Sequence, residues 1–217
     1  MVEFDVRRCR DALVLVHDER LRRGPYSQSC VRDRTLAELR RLGIRADERI
    51  PTLDEAVSLI KGRAQMNLDL KDAGYEGEVL HVLGRHGVLR DVLVSSLAPA
   101  SLRAVKALAP DVPVGLSYPD DKGGVSGKQY LAPIVRLTLW LMRLTVPWRM
   151  PRMIAHARAN ATMLHREIIS PRLVAVVHRA GYRVFAWTVD DLAMMRRLQA
   201  MGVDGIASNR PDLFTQL

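Results

Sequence analysis

Residues 181–212 read GYRVFAWTVDDLAMMRRLQAMGVDGIASNRPD, and this stretch decides the fold class. A short run rich in β-branched and aromatic residues, RVFAWTV, leads into DLAMMRRLQAMG, which opens on Asp, spaces its apolar residues helically and closes on Gly. A second short run, DGIASN, follows. Strand, helix, strand without a hairpin turn is the pattern of a parallel β/α unit, because parallel neighbours need a crossover.

The same module recurs outward along the chain. Strand candidates are VEFDV with LVLVH as a hairpin partner, then QMNLDLK, VLVSSL, PVGLSYP and TMLHRE. Between them run TLDEAVSLIKG, EGEVLHVLGRHG, PASLRAVKALAP and SPRLVAVVHRAG, several opening on Ser, Thr or Pro and closing on Gly. Such a pattern predicts either an open doubly wound sheet or an eight-stranded barrel short of one strand. No GxGxxG or P-loop lysine favours the nucleotide-binding sheet.

The 217 residues suit one domain spanning 1–217, and no linker or low-complexity tract divides them. The formal charge is +9, and apart from Lys61, Lys71, Lys106, Lys122 and Lys128 the basic residues are arginine. They are scattered, which reads as an Arg-rich composition, though the balance also suits phosphorylated substrates or anionic membrane surfaces. Signatures of RNA or DNA binding are absent. Cys9 and Cys30 form neither a disulfide framework nor a CxxC pair, as expected of a reducing compartment, and a cytoplasmic location follows as the expectation. The acidic opening strand is no signal peptide, although a longer chain would be free to carry one.

One stretch breaks the rhythm: YLAPIVRLTLWLMRLTVPWRM, residues 130–150. Pro133 and Pro147 are read as its bounds, and Arg136 and Arg143 share one face, leaving too few apolar residues to span a bilayer. The expectation is a helix packed on the barrel or on a partner chain. Its broad apolar face makes peripheral membrane contact, or contact with a lipid-like substrate, the alternative.

The chemistry sits on two strands. Residues two apart in a strand point the same way, so Glu3 and Asp5 project together, opposite Val2, Phe4 and Val6. In MNLDLK the same arithmetic puts Asn67, Asp69 and Lys71 on one face. Three carboxylates meeting at the mouth of a parallel barrel make a hard oxygen site suited to Mg²⁺ or Ca²⁺. The competing reading is solvated acids paired with arginines. His17 follows LVLV and precedes Asp18, where a strand emerges into a loop; an imidazole oriented by a carboxylate can act as acid or base. Of the other histidines, only His165 ends a strand candidate and so can face the barrel mouth; His81, His86, His156 and His178 fall in helical segments.

These residues match a family. VEFDVRRCRDALVLVHD, IPTLDEAVSLIKGRAQMNLDLK, VLVSSLAPASLRAVKALAPDVPVG and residues 181–212 together resemble the glycerophosphodiester phosphodiesterase family, in matching order along almost the whole chain. The divergent part is about 118–161. The resemblance implies a TIM-type β/α barrel and divalent-metal-dependent hydrolysis of glycerophosphodiesters to glycerol 3-phosphate and an alcohol. It implies that Glu3, Asp5 and Asp69 are metal ligands, Asp69 standing where many members carry the longer Glu. His17 matches the second catalytic histidine, Lys71 a lysine near the phosphate, and Trp187 an aromatic of the substrate pocket.

The family's earlier segment, a first strand ending in His-Arg-Gly, a Pro-Glu-Asn-Thr turn and the first helix, does not occur in these residues. The expectation is therefore a barrel without its first strand, helix and catalytic histidine, with Met1 an internal methionine of a longer protein. Two readings compete with a small-molecule diesterase: a lysophospholipase D-like enzyme that admits lysolipids past the apolar helix, and an inactive barrel that binds phosphodiesters without turnover.

Overall fold

The computed structural model describes residues 1–20, 29–42, 49–120 and 132–217, with the side chains of Leu42, Ala132 and Arg136 outside that description. Lys122 and Lys128, in the divergent stretch, also lie outside it. The described chain forms two compact units, Met1–Val114 and Gly115–Leu217.

In the first unit, β1 (Val2–Arg8) pairs antiparallel with β2 (Leu13–Leu15), as the hairpin reading expects. On its other side β1 runs parallel to β3 (Met66–Leu70), which runs parallel to β4 (Val92–Ser96). Every residue of β3 and β4 is buried, as befits strands covered on both faces. Helices α1 (Leu36–Leu42), α2 (Leu53–Ile60), α3 (Glu76–His86) and α4 (Pro99–Leu108) complete the unit. A capping box starts α2: the Thr52 hydroxyl accepts from the Glu55 amide, and the Glu55 carboxylate accepts from the Thr52 amide. Gly87, at φ +72°, ends α3 in a left-handed turn that a side chain would strain. Leu53, Leu68, Leu83 and Leu102 are wholly buried, one from each layer element, and truncating Leu68 to Ala would cost ~2 to 5 kcal/mol. A smaller cluster of Cys9, Val14, Val31, Leu39 and Ile50 packs beneath the hairpin.

The second unit repeats the scheme. Strands β5 (Val114–Tyr118), which begins at the boundary, β6 (Ala161–His165), β7 (Arg183–Trp187) and β8 (Gly205–Ile206) run parallel in that order. Helices α5 (Ala132–His156), α6 (Pro171–Arg179) and α7 (Leu192–Ala200) connect them. Ser170 and Asp191 cap α6 and α7 by accepting from Leu173 and Met194 amides.

Two expectations are corrected here. The apolar helix does not stop at its prolines: α5 runs through Pro147 and Pro151 to His156. Each proline forfeits a backbone bond, but Val146, Met150 and Ile154 are buried on one face and hold the turn together. The last strand, read as DGIASN, is shorter, Gly205–Ile206 with backbone bonds from the Asp204 and Ala207 amides on either side, because beyond Ala207 Asp190 accepts from the Ser208 hydroxyl and from the Asn209 amide and side chain and draws the chain into a loop.

Candidate active site

Register brings the acids together. In the β1–β3 pair Glu3 lies opposite Asn67 and Asp5 opposite Asp69, and the ladder continues as the Lys71 amide donates to the Val6 carbonyl. Glu3, Asp5 and Asp69 each offer a carboxylate oxygen within 4.8 Å of the others. The Lys71 ammonium sits among them, 2.7 Å from Asp5 Oδ1 and 2.5 Å from Asp69 Oδ2. The other oxygen of Asp69 accepts from the buried hydroxyl of Ser95 at 2.8 Å.

The electrostatics follow from that crowding. Loss of hydration, then the charges of Asp5 and Asp69, push Glu3 from its ordinary 4.5 up to about 7, with Lys71 and His17 pulling the other way. Glu3 keeps an exposed edge, so hydration is only partly lost and the two neighbouring carboxylates are the firmer cause. Burial opposes the charge on Lys71, but Asp69 and Asp5 together outweigh it and hold the ammonium above its ordinary value. One ammonium against three acids leaves the cluster short of positive charge.

A divalent cation fits this donor set. All three donors are hard oxygens, as Mg²⁺ or Ca²⁺ require. Asn67, the register partner of Glu3, is buried and its Oδ1 accepts no hydrogen bond among the described residues, so one further oxygen of the same face stands without a donor.

His17 stands at the rim. The Val16 amide donates to the Asp5 carbonyl at 3.0 Å, which fixes the end of the hairpin beside the acid strand. Arg7 Nε donates to the His17 carbonyl at 3.0 Å while Arg7 Nη1 pairs with Asp72 at 2.7 Å. The His17 ring is exposed, and its Nδ1 lies 2.9 Å from Asp18 Oδ1, so Nε2 is the ring nitrogen that Asp18 does not engage. Asp18 thus orients the imidazole as its place after His17 suggested.

Glu3, Asp5, Asp69, Lys71 and His17 all belong to the first unit. Trp187 belongs to the second, where it meets the ring of His165 edge-on with centroids 5.4 Å apart, and its indole Nε1 is buried without a partner among the described residues. Sequence reasoning missed Ser95 and Arg7. Alternation places Arg7 on the face of Glu3 and Asp5, but neither its tether to His17 nor the register that sets Ser95 opposite Asp69 can be read from alternation within one strand.

The sequence model of the glycerophosphoryl diester phosphodiesterase family matches residues 1–213. The chain belongs to that family. It is 31% identical to a glycerophosphodiester phosphodiesterase of Caldanaerobacter subterraneus, over all of this chain and 84% of that protein. Its fold is like that of the glycerophosphodiester phosphodiesterase of Agrobacterium tumefaciens, with a TM-score of 0.74 at 21% identity over 99% of this chain and 86% of the other. A phosphodiesterase of Oleispira antarctica, solved with the product sn-glycerol-3-phosphate, matches at TM-score 0.74 and 24% identity, over 99% and 83% of the two chains. The α/β barrel of the phosphodiesterases is therefore the fold of this family member, as the family resemblance implied and as one of the two folds that the recurring β/α module allowed.

Proposed function

We propose that the chain hydrolyses glycerophosphodiesters to glycerol 3-phosphate and an alcohol, with Glu3, Asp5 and Asp69 holding a divalent ion, Mg²⁺ or Ca²⁺. The observation that carries this reading is the carboxylate cluster threaded by Lys71, on a chain whose family and curated relatives bear that activity in their names. In the reaction a water oxygen forms a bond to phosphorus as the bond to the alcohol oxygen breaks; water loses a proton and the alcohol gains one.

The protein's own groups divide this work. Lys71 steadies the carboxylates of Asp5 and Asp69 and presents positive charge to a phosphate oxygen. Ser95 fixes the rotamer of Asp69. His17, with Nδ1 held by Asp18, has Nε2 available to take or give a proton at the substrate. A bound divalent ion would supply positive charge that offsets the negative charge growing on the phosphoryl oxygens.

Release of glycerol 3-phosphate from glycerophosphocholine tests the reading. It should require added Mg²⁺ or Ca²⁺, stop in EDTA and resume on adding the ion back, and Asp69→Ala should abolish it with the circular dichroism unchanged. Undiminished turnover by Asp69→Ala in EDTA would overturn the metal assignment. Ion binding without any hydrolysis would assign the barrel to phosphodiester binding alone. A second reading, long-chain lysolipids as substrates, is favoured by the apolar residues exposed on α5, and a faster rate on a lysolipid than on glycerophosphocholine would select it.

A further inference from the structure

Helix α5 presents two opposite faces. Val146, Met150 and Ile154, four residues apart, are buried within the second unit, where α5 packs against α6. On the far side Ile134, Leu137, Leu141, Leu144 and Trp148, spaced three or four apart, form one stripe with Trp140 beside it, and each is about half exposed or more. The stripe is about 21 Å long at helical rise. No helix among the described residues is long and apolar enough to cross a membrane.

Charge says what this stripe suits. From Lys122 to Arg166 the sequence holds eight Lys or Arg residues (Lys122, Lys128, Arg136, Arg143, Arg149, Arg152, Arg158 and Arg166) and no Asp or Glu. Arg149 and Arg152 are exposed beside the stripe, and the Arg172 guanidinium stacks over the Trp148 ring at 4.2 Å. A second copy laid on this face would bring cation against cation with no acid on α5 to offset them. Tryptophans on an apolar stripe flanked by arginines match a headgroup layer, where indoles and aliphatic side chains enter the acyl boundary and guanidinium groups meet phosphates.

We propose that the outer face of α5 docks this protein on the surface of an anionic phospholipid bilayer, the helix lying in the plane of the headgroups. The attraction has two parts, apolar insertion and charge, and each is separately removable.

The test is co-sedimentation of the full chain with vesicles of phosphatidylglycerol and phosphatidylcholine, against pure phosphatidylcholine, in metal-free buffer. Since no turnover is read, its failure is distinct from failure of the diesterase reading. Binding to the anionic vesicles should be at least about tenfold tighter than to the neutral ones and should weaken with salt. Leu141→Glu with Leu144→Glu should abolish it, and Arg149→Gln with Arg152→Gln should weaken it and flatten the salt dependence. If the glutamate pair fails to fold, Trp140→Ala carries the same test with a smaller loss. No sedimentation with anionic vesicles overturns the proposal. So does equal binding to both vesicle types, binding that survives the glutamate pair, or a concentration-dependent dimer that the glutamate pair dissolves.

Discussion

The hydroxyl of Ser95 donates to Oδ1 of Asp69 at 2.8 Å, and both side chains are buried. Since Lys71 takes the other oxygen of Asp69, this carboxylate is held on both sides, and its shortness relative to Glu leaves it little freedom to find a cation by itself. Ser95→Ala should therefore lower Mg²⁺ or Ca²⁺ affinity by ~10 to 100-fold, the usual cost of losing an outer partner of a ligand. Calorimetric titration with each ion reads this directly, and unchanged affinity would remove Ser95 from the site.

Lys71 is a counter-charge to Asp5 and Asp69. Replacing it by Met leaves Glu3, Asp5 and Asp69 facing one another, which should cost ~3 kcal/mol in ion-free buffer. Saturating Ca²⁺ should restore a larger share of the lost melting temperature in Lys71→Met than it adds to the parent chain. Thermal melts with and without the ion measure the difference.

His17→Ala should lower kcat by ~10² to 10⁴ with KM nearly unchanged, because proton transfer is felt in the transition state. Asp18→Asn should fall between the two, since it loosens the ring without removing it. Steady-state kinetics on glycerophosphocholine separates the cases; a KM effect alone would make His17 a binding group.

Acid stability should depend on Glu55. The Thr52 amide chiefly, then the guanidinium groups of Arg40 and Arg49, hold its carboxyl at about 2 against an ordinary 4.5. A depressed value means stability is fully present above about 4.5 and drains away as pH falls toward 2. Glu55 is 40% exposed, so screening keeps the effect below ~1 kcal/mol. Denaturant midpoints measured from pH 6 to 2 should fall less steeply for Glu55→Gln than for the parent.

The legible parts of this chain were those written in local periodicity. VEFDV and MNLDLK declare their inward residues by alternation, so the acid cluster follows once two strands are assumed neighbours. Which residue of one strand faces which of another is a long-range fact, and Ser95, one polar residue in an apolar run, gains meaning only from its register with Asp69. Pro147 misled for a similar reason: a local break signal lost to burial of Val146, Met150 and Ile154. The Arg7 tether to the His17 carbonyl has no sequence pattern at all, since it joins a side chain to a backbone atom ten residues away.

The Tyr75 hydroxyl donates to the Val6 carbonyl at 2.7 Å and accepts from the Asp72 amide. It ties the turn after Lys71 to the strand of Glu3 and Asp5, so the three carboxylates proposed to hold the ion are braced within residues 3–75 of a unit that ends at Val114. Recombination can exploit that confinement. A chimera that keeps Met1–Val114 and takes its remaining residues from a relative inherits the three carboxylates, Lys71, Ser95 and the Tyr75 brace together, so the second unit can be exchanged without touching the acid cluster.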